Sequence, residues 1–165
     1  MSCLDDIVSL GYEKCPPEGS LLEYFSEVIL CAPLEIPPEK PDKEHITNII
    51  KKVVVNDIGV IDVDLGDGTD RQKVVVTGTI KLGIEYSADE PEQQVHFAHF
   101  DIPFQGIIGY RPCDPATNRG LIDDPTFDIN EYFVNVCVEH EQYHQLDPRN
   151  IKAVIVLLIW LEAKP

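Results

Sequence analysis

The sequence predicts an all-β protein, an antiparallel β-sandwich in a single domain with an N-terminal extension, and three observations carry that prediction. Gln72 to Ser87 holds a period of two: Val74, Val76, Ile80, Leu82, Ile84 and Tyr86 fall on one parity, and Lys73, Thr77, Thr79, Lys81 and Glu85 on the other. That is a long strand with one buried face. Shorter strand patterns recur on both sides of it, and no long amphipathic helical pattern interrupts them. Finally, 165 residues with 44% apolar and 25% charged side chains suit one domain with a substantial core. Val74, Val76, Ile80, Leu82 and Ile84 are its predicted centre, shared by two packed sheets.

In chain order, residues 1–20 contain Gly11, Pro16, Pro17 and Gly19 without a sustained period. They read as an arm, with a short turn of helix expected around Leu4 to Leu10, ahead of a domain spanning 21–165. Leu21 to Ala32 is the first strand. Pro37, Pro38 and Pro41 then forbid a central strand or helix interior and impose an extended crossing segment. Strands follow at Ile49 to Val55 and Gly59 to Leu65, and Asp67-Gly68 suits the tight turn of a hairpin into the long strand. Within that strand Gly78 and Gly83 are each expected to mark a bulge or a close backbone approach.

From Val95 to Phe104 the apolar phase changes near Ala98 and His99, which predicts a β-bulge with His96 and His99 facing outward. Gly109 to Phe127 is a long connection rich in Pro, Gly, Asn and Asp, of the kind that is usually functional or disordered. Two strong strands, Tyr132 to Gln145 and Ile151 to Ala163, close the chain, with Pro148 suited to the second position of the turn between them.

Several function classes are set aside by the chemistry. Thirteen Lys plus Arg against 29 Asp plus Glu give a net charge of -16, which argues against nucleic acid and anionic membrane surfaces as partners. No run approaches the roughly 20 apolar residues of a membrane-spanning helix. The opening M-S-C-L-D-D-I lacks a basic region followed by an apolar core, so synthesis in the cytoplasm without a signal peptide is expected.

Two patterns invite a metal. Asp62, Asp64, Asp67 and Asp70 depart from EF-hand spacing, and the twelfth residue from Asp62 is Lys73 instead of Glu. His140 to His144 reads H-E-Q-Y-H, but the zinc-protease motif works on a helix, where residues four apart share a face. Here the surroundings are those of a strand, which would separate the histidines by about 13 Å at roughly 3.3 Å per residue. We therefore expect no catalytic, cofactor-binding or metal-binding residues, and a protein that is not an enzyme.

Cys3, Cys15, Cys31, Cys113 and Cys137 include no pair at zinc or redox spacing. Cys3 and Cys15 on the arm, and Cys113 in the long connection, are the crosslink candidates. Cys3 or Cys15 is expected to bond to a neighbouring subunit in an oxidising environment, against the alternative of free thiols. Cys31 and Cys137 lie on apolar strands and read as packed thiols.

The last strand is apolar on both faces. Ile155, Leu157, Ile159 and Leu161 take one, and Val154, Val156, Leu158 and Trp160 the other. A sandwich buries only one face of each sheet, so the second set is the candidate self-association surface. It would be covered by a neighbouring subunit with the arm reaching across, or else by the N-terminal segment or long connection of the same chain.

These pieces together resemble a known family. The series L-E-I-P-P-E-K-P-D-K-E-H-I, K-V-V-V-T-G-T-I-K-L-G-I-E-Y, V-H-F-A-H-F-D-I-P-F and L-D-P-R-N-I-K-A-V-I-V-L is similar to the SPOCS domain of spore-coat and spore-morphogenesis proteins, over roughly residues 34–161. The resemblance implies an all-β structural or protein-binding module of the spore envelope, without cofactors and without catalytic residues to carry over. A single copy with a cysteine-bearing arm points to a subunit that assembles with itself into a filament or coat layer on the spore or cell surface. A monomeric adaptor that binds other spore-envelope proteins is the alternative.

Overall fold

The alternation that dominates the sequence becomes the middle of a sheet. In the computed structural model, which describes residues 7–9, 14–64, 70–109, 122 and 124–165, the strands are β1 (Ile7–Ser9), β2 (Tyr24–Glu35), β3 (Lys43–Asp64), β4 (Asp70–Ala88), β5 (Val95–Ile108), β6 (Tyr132–Gln145) and β7 (Asn150–Ala163). A 3-10 turn, Ile129–Glu131, precedes β6. One sheet has the order β3-β4-β5 and the other β1-β6-β7-β2, with every pairing antiparallel. The two sheets pack as a β-sandwich. Val74, Val76, Ile80, Leu82 and Ile84 are buried against Ile151, Ile155, Leu157 and Ile159 of β7, so the predicted core is the observed one.

Other expectations need correcting. The stretch read as two strands, 49–55 and 59–65, is one strand, β3, because pairing with β4 continues through Asp57 to Gly59. A register shift between Val55 and Asp57 absorbs the extra residue, and the Asn56 amide donates to Thr79 Oγ1 at 2.8 Å. Opposite this bulge, Gly78 is required: a Cβ there would collide with the Phe104 ring and the Val54 carbonyl oxygen. Gly83 marks no such approach, since its nearest neighbour would be the His99 ring at 3.5 Å. The β3–β4 hairpin is present, closed by Asp64 opposite Asp70, while its Asp67-Gly68 turn lies outside the described residues.

No bulge interrupts β5. Its register against β4 is unbroken from Val95 to Ile108, and burial alternates throughout, with the even residues inward. His96 therefore faces in and stacks on Tyr86, with ring centroids 5.9 Å apart, while Val95 and Phe97 face solvent. The bulge lies instead in β6, between Val138 and His140. It flips the inward parity from Val134, Val136 and Val138 to Glu141 and Tyr143. At the other end of the chain Ile7–Ser9 is strand, paired with the β6 edge, and not a turn of helix.

The proline segment crosses between the sheets as predicted, and Arg149 in the β6–β7 turn holds it. Its guanidinium donates to the carbonyls of Ile36 (3.0 Å), Pro37 (2.7 Å) and Lys40 (3.1 Å) and to the Asp42 carboxylate (2.8 Å). Prolines leave carbonyls without a ladder, and the fixed fork of an arginine can reach several of them at once. On the side of the sandwich where β3 approaches β6, the Lys51 ammonium pairs with the buried Glu141 carboxylate.

Candidate functional site

The chemistry-bearing candidates are dispersed. His140 and His144 lie on β6 opposite Val156 and Lys152, four strand positions apart, too far to share an ion. Asp62 accepts from the Gln72 side chain at 3.1 Å, and Asp64 sits opposite Asp70; Asp67 lies outside the described residues. His99 faces outward, parallel to Phe97 at 6.3 Å. Among the described residues no three His, Cys, Asp or Glu side chains come together as a metal cluster. What the fold does create is two unusual outer faces.

The first is the outer face of the four-stranded sheet. Its cross-strand rows run Glu27–Leu158–Cys137, Ile29–Val156–His140 and Cys31–Val154–Gln142. Cys137 is no packed thiol: it forms a disulfide with Cys15 across a sequence separation of 122 residues. That bond lays the N-terminal segment on the sheet, where Pro17, Glu18, Gly19 and Ser20 share a hollow of about 410 Å³ with Asn135, Cys137, Trp160 and Glu162. Trp160 and Leu158 are 3% and 2% exposed, so two of the four self-association candidates are already buried within the chain. Residues 15–20 of the segment expected to reach a neighbour fold back here, and Cys15 is bonded internally.

The remaining half stays open. Val154 and Val156 are half-buried, Ile29 is 69% exposed, and Cys31 is an exposed free thiol instead of a packed one. Cys3 and Cys113 lie outside the described residues, as does most of the long connection. Of that connection, Ile122 is buried and donates its backbone N–H to the Gln72 carbonyl at 2.9 Å, and Phe127 packs on Tyr24 and Tyr132. Where the strip meets the disulfide row, Glu27 on β2 and Glu139 in the β6 bulge lie on either side of β7. Burial first, and then the Glu27 charge, holds the Glu139 carboxyl above its ordinary range.

The second face belongs to the three-stranded sheet. Its rows run Asn48–Glu85–Phe97, Ile50–Gly83–His99 and Lys52–Lys81–Asp101. Because Gly83 has no side chain, the sheet dips there into a hollow of about 370 Å³ walled by Ile50, Phe97 and His99 and flanked by Lys52 and Lys81. Ile50 is 57% exposed and Phe97 37%. The sequence reading missed this face by placing Val95 and Phe97 inside. The available signal was the unbroken even parity of Ala98, Phe100, Ile102 and Phe104.

Between the sheets, Tyr143 is fully buried and its hydroxyl is pushed well above the ordinary phenol range, mainly by burial and secondarily by the nearby Glu141 charge. Among the described residues neither the Tyr143 hydroxyl nor Glu141 Oε1 has a hydrogen-bond partner. The Lys51–Glu141 pair spans the two sheets, so it belongs to the framework.

Compared with known proteins, residues 42–145 match the family model described as SipL, SPOCS domain. No curated protein and no solved structure matches the chain.

Proposed function

Since the chain belongs to the SPOCS-domain family, a family of spore-associated proteins, we propose that it is a structural subunit that assembles with itself into a layer or filament on the spore or cell surface, and not a catalyst. The observation that supports this reading is the pair of apolar outer faces on a sandwich whose interior is already filled. Ile29, Val154 and Val156 on one sheet and Ile50 and Phe97 on the other leave apolar surface in water on opposite sides of one small domain. Such patches on a soluble domain mark interaction surfaces. Two faces on opposite sides permit a chain of contacts, because a contact between unlike patches does not close on itself unless the rotation does.

The Cys15–Cys137 disulfide also suits an oxidising surface location, where disulfides persist. A monomeric adaptor that offers one of these faces to another spore-envelope protein is the second reading, and the covering of half of one face by the chain's own residues 15–20 favours it. Negative-stain microscopy and sedimentation velocity on the purified full chain separate the two. Filaments, sheets or a concentration-dependent series of oligomers are expected. A protein that stays monomeric at high concentration overturns the self-assembly reading.

A further inference from the structure

Both outer faces carry a like-charge pair beside their apolar patch, and the signs are opposite. On the three-stranded sheet Lys52 stands directly across from Lys81, both exposed, in a chain with 13 basic and 29 acidic residues. Like charges placed directly opposite across a strand pair repel. Among the described residues neither ammonium takes part in an ion pair, and Asp101 at the end of the row leaves it net positive. On the four-stranded sheet Glu27 on β2 and Glu139 in the β6 bulge flank β7 at the edge of the Ile29–Val156 strip, close enough for the Glu27 charge to be felt at Glu139.

We propose that these are the two halves of one contact between copies of this chain: the Lys52–Lys81 row and the Gly83 hollow of one copy seat on the Glu27–Glu139 carboxylates and the Ile29–Val156 strip of the next. Each like-charge pair is unfavourable alone and relieved by the other. The order of chemistry matches as well. One face runs from the lysine row through the Ile50–Gly83–His99 row to Glu85, and the other from the glutamates through two apolar rows to exposed Lys152. The second face is longer by one row, about 7 Å at roughly 3.3 Å per residue. A lysine stem covers that difference. Patches of different chemistry joined in this way grow head to tail, and the opposite charges set orientation and on-rate more than they add affinity.

This contact rests on the self-assembly reading, and charge reversal tests the two separately. Lys52→Glu/Lys81→Glu and Glu27→Lys/Glu139→Gln change exposed or half-exposed side chains, so both variants should melt close to the wild-type temperature. Each alone is expected to associate about tenfold or more weakly than the wild type in sedimentation velocity at low salt. An equimolar mixture of the two should associate again, because the intact halves join one of each into a pair and the two altered halves, opposite in charge once more, can extend it. Variants that assemble as the wild type does, or a mixture that fails to recover, would overturn this contact while leaving self-assembly standing. A wild-type protein that stays monomeric would overturn both.

Discussion

Cys15 and Cys137, whose Cα atoms lie 5.8 Å apart, are joined through a disulfide that places the N-terminal segment over Trp160. Residues 15–20 are thereby part of the domain's surface, and half of an apolar strip that would otherwise face water is sealed within the chain. The first expected outcome concerns that seal. A closed loop of this length corresponds to about 5 kcal/mol in the chain-entropy model. Cys137→Ser should lower stability in urea by up to that amount. It should also shift the emission of the single tryptophan to longer wavelength under conditions where the β-sheet signal in circular dichroism is unchanged. Peptide mapping of the unreduced protein should recover Cys15 and Cys137 as one linked peptide.

The two glycines of β4 should respond oppositely to alanine. At Gly78 an added Cβ meets a backbone oxygen and an aromatic ring from two neighbouring strands, and such overpacking costs about 1–3 kcal/mol or more. At Gly83 it makes only ordinary contacts in an open hollow, so Gly83→Ala should stay within about 0.5 kcal/mol of wild type. Urea melts of the two variants measure the difference directly.

Removing one partner of the inter-sheet ion pair should be worse than removing both. Lys51→Met leaves the 4%-exposed Glu141 carboxylate without its counter-ion, an arrangement that costs about 3–5 kcal/mol. The double variant Lys51→Met/Glu141→Leu should recover most of that loss. A double-mutant cycle on unfolding free energies reports the coupling.

Glu139 supplies a pH dependence of stability. Its folded-state pKa is raised by burial and then by Glu27, so the folded protein binds that proton more tightly than the unfolded chain does. Its contribution to stability is therefore favourable at low pH and is lost as pH rises from the unfolded value through the raised folded one. Glu139→Gln should raise the melting temperature slightly at pH 7, and the gain should disappear below about pH 4. Because the group is only partly buried, the effect is small and should shrink with added salt.

The Arg149 fork makes a sharper test of the proline crossing. Arg149→Ala removes donors to three carbonyls and a carboxylate and should destabilise by about 1.5–3 kcal/mol. Arg149→Lys should recover little, because an ammonium cannot span the same set of acceptors.

Strand periodicity along Gln72–Ser87, the proline breaks and the double-sided apolar strand at the C-terminus were enough to determine an all-β sandwich and the side chains at its centre. A period of two is a local property, set by how a pleated strand distributes side chains between core and water, and it survives any arrangement of neighbours. Register and coverage are not local. Whether Asn56 bulges out of one long strand depends on β4 carrying the pairing past it, and whether Phe97 faces in or out depends on which parity of β5 meets the other sheet. The face of Trp160 was legible as apolar, but what covers it was decided by a bond between residues at opposite ends of the chain. The hollow at Gly83 and the row of opposed lysines exist only once three strands are in register, since Ile50, Lys52, Lys81, Gly83 and His99 become neighbours through hydrogen bonds that no segment makes by itself.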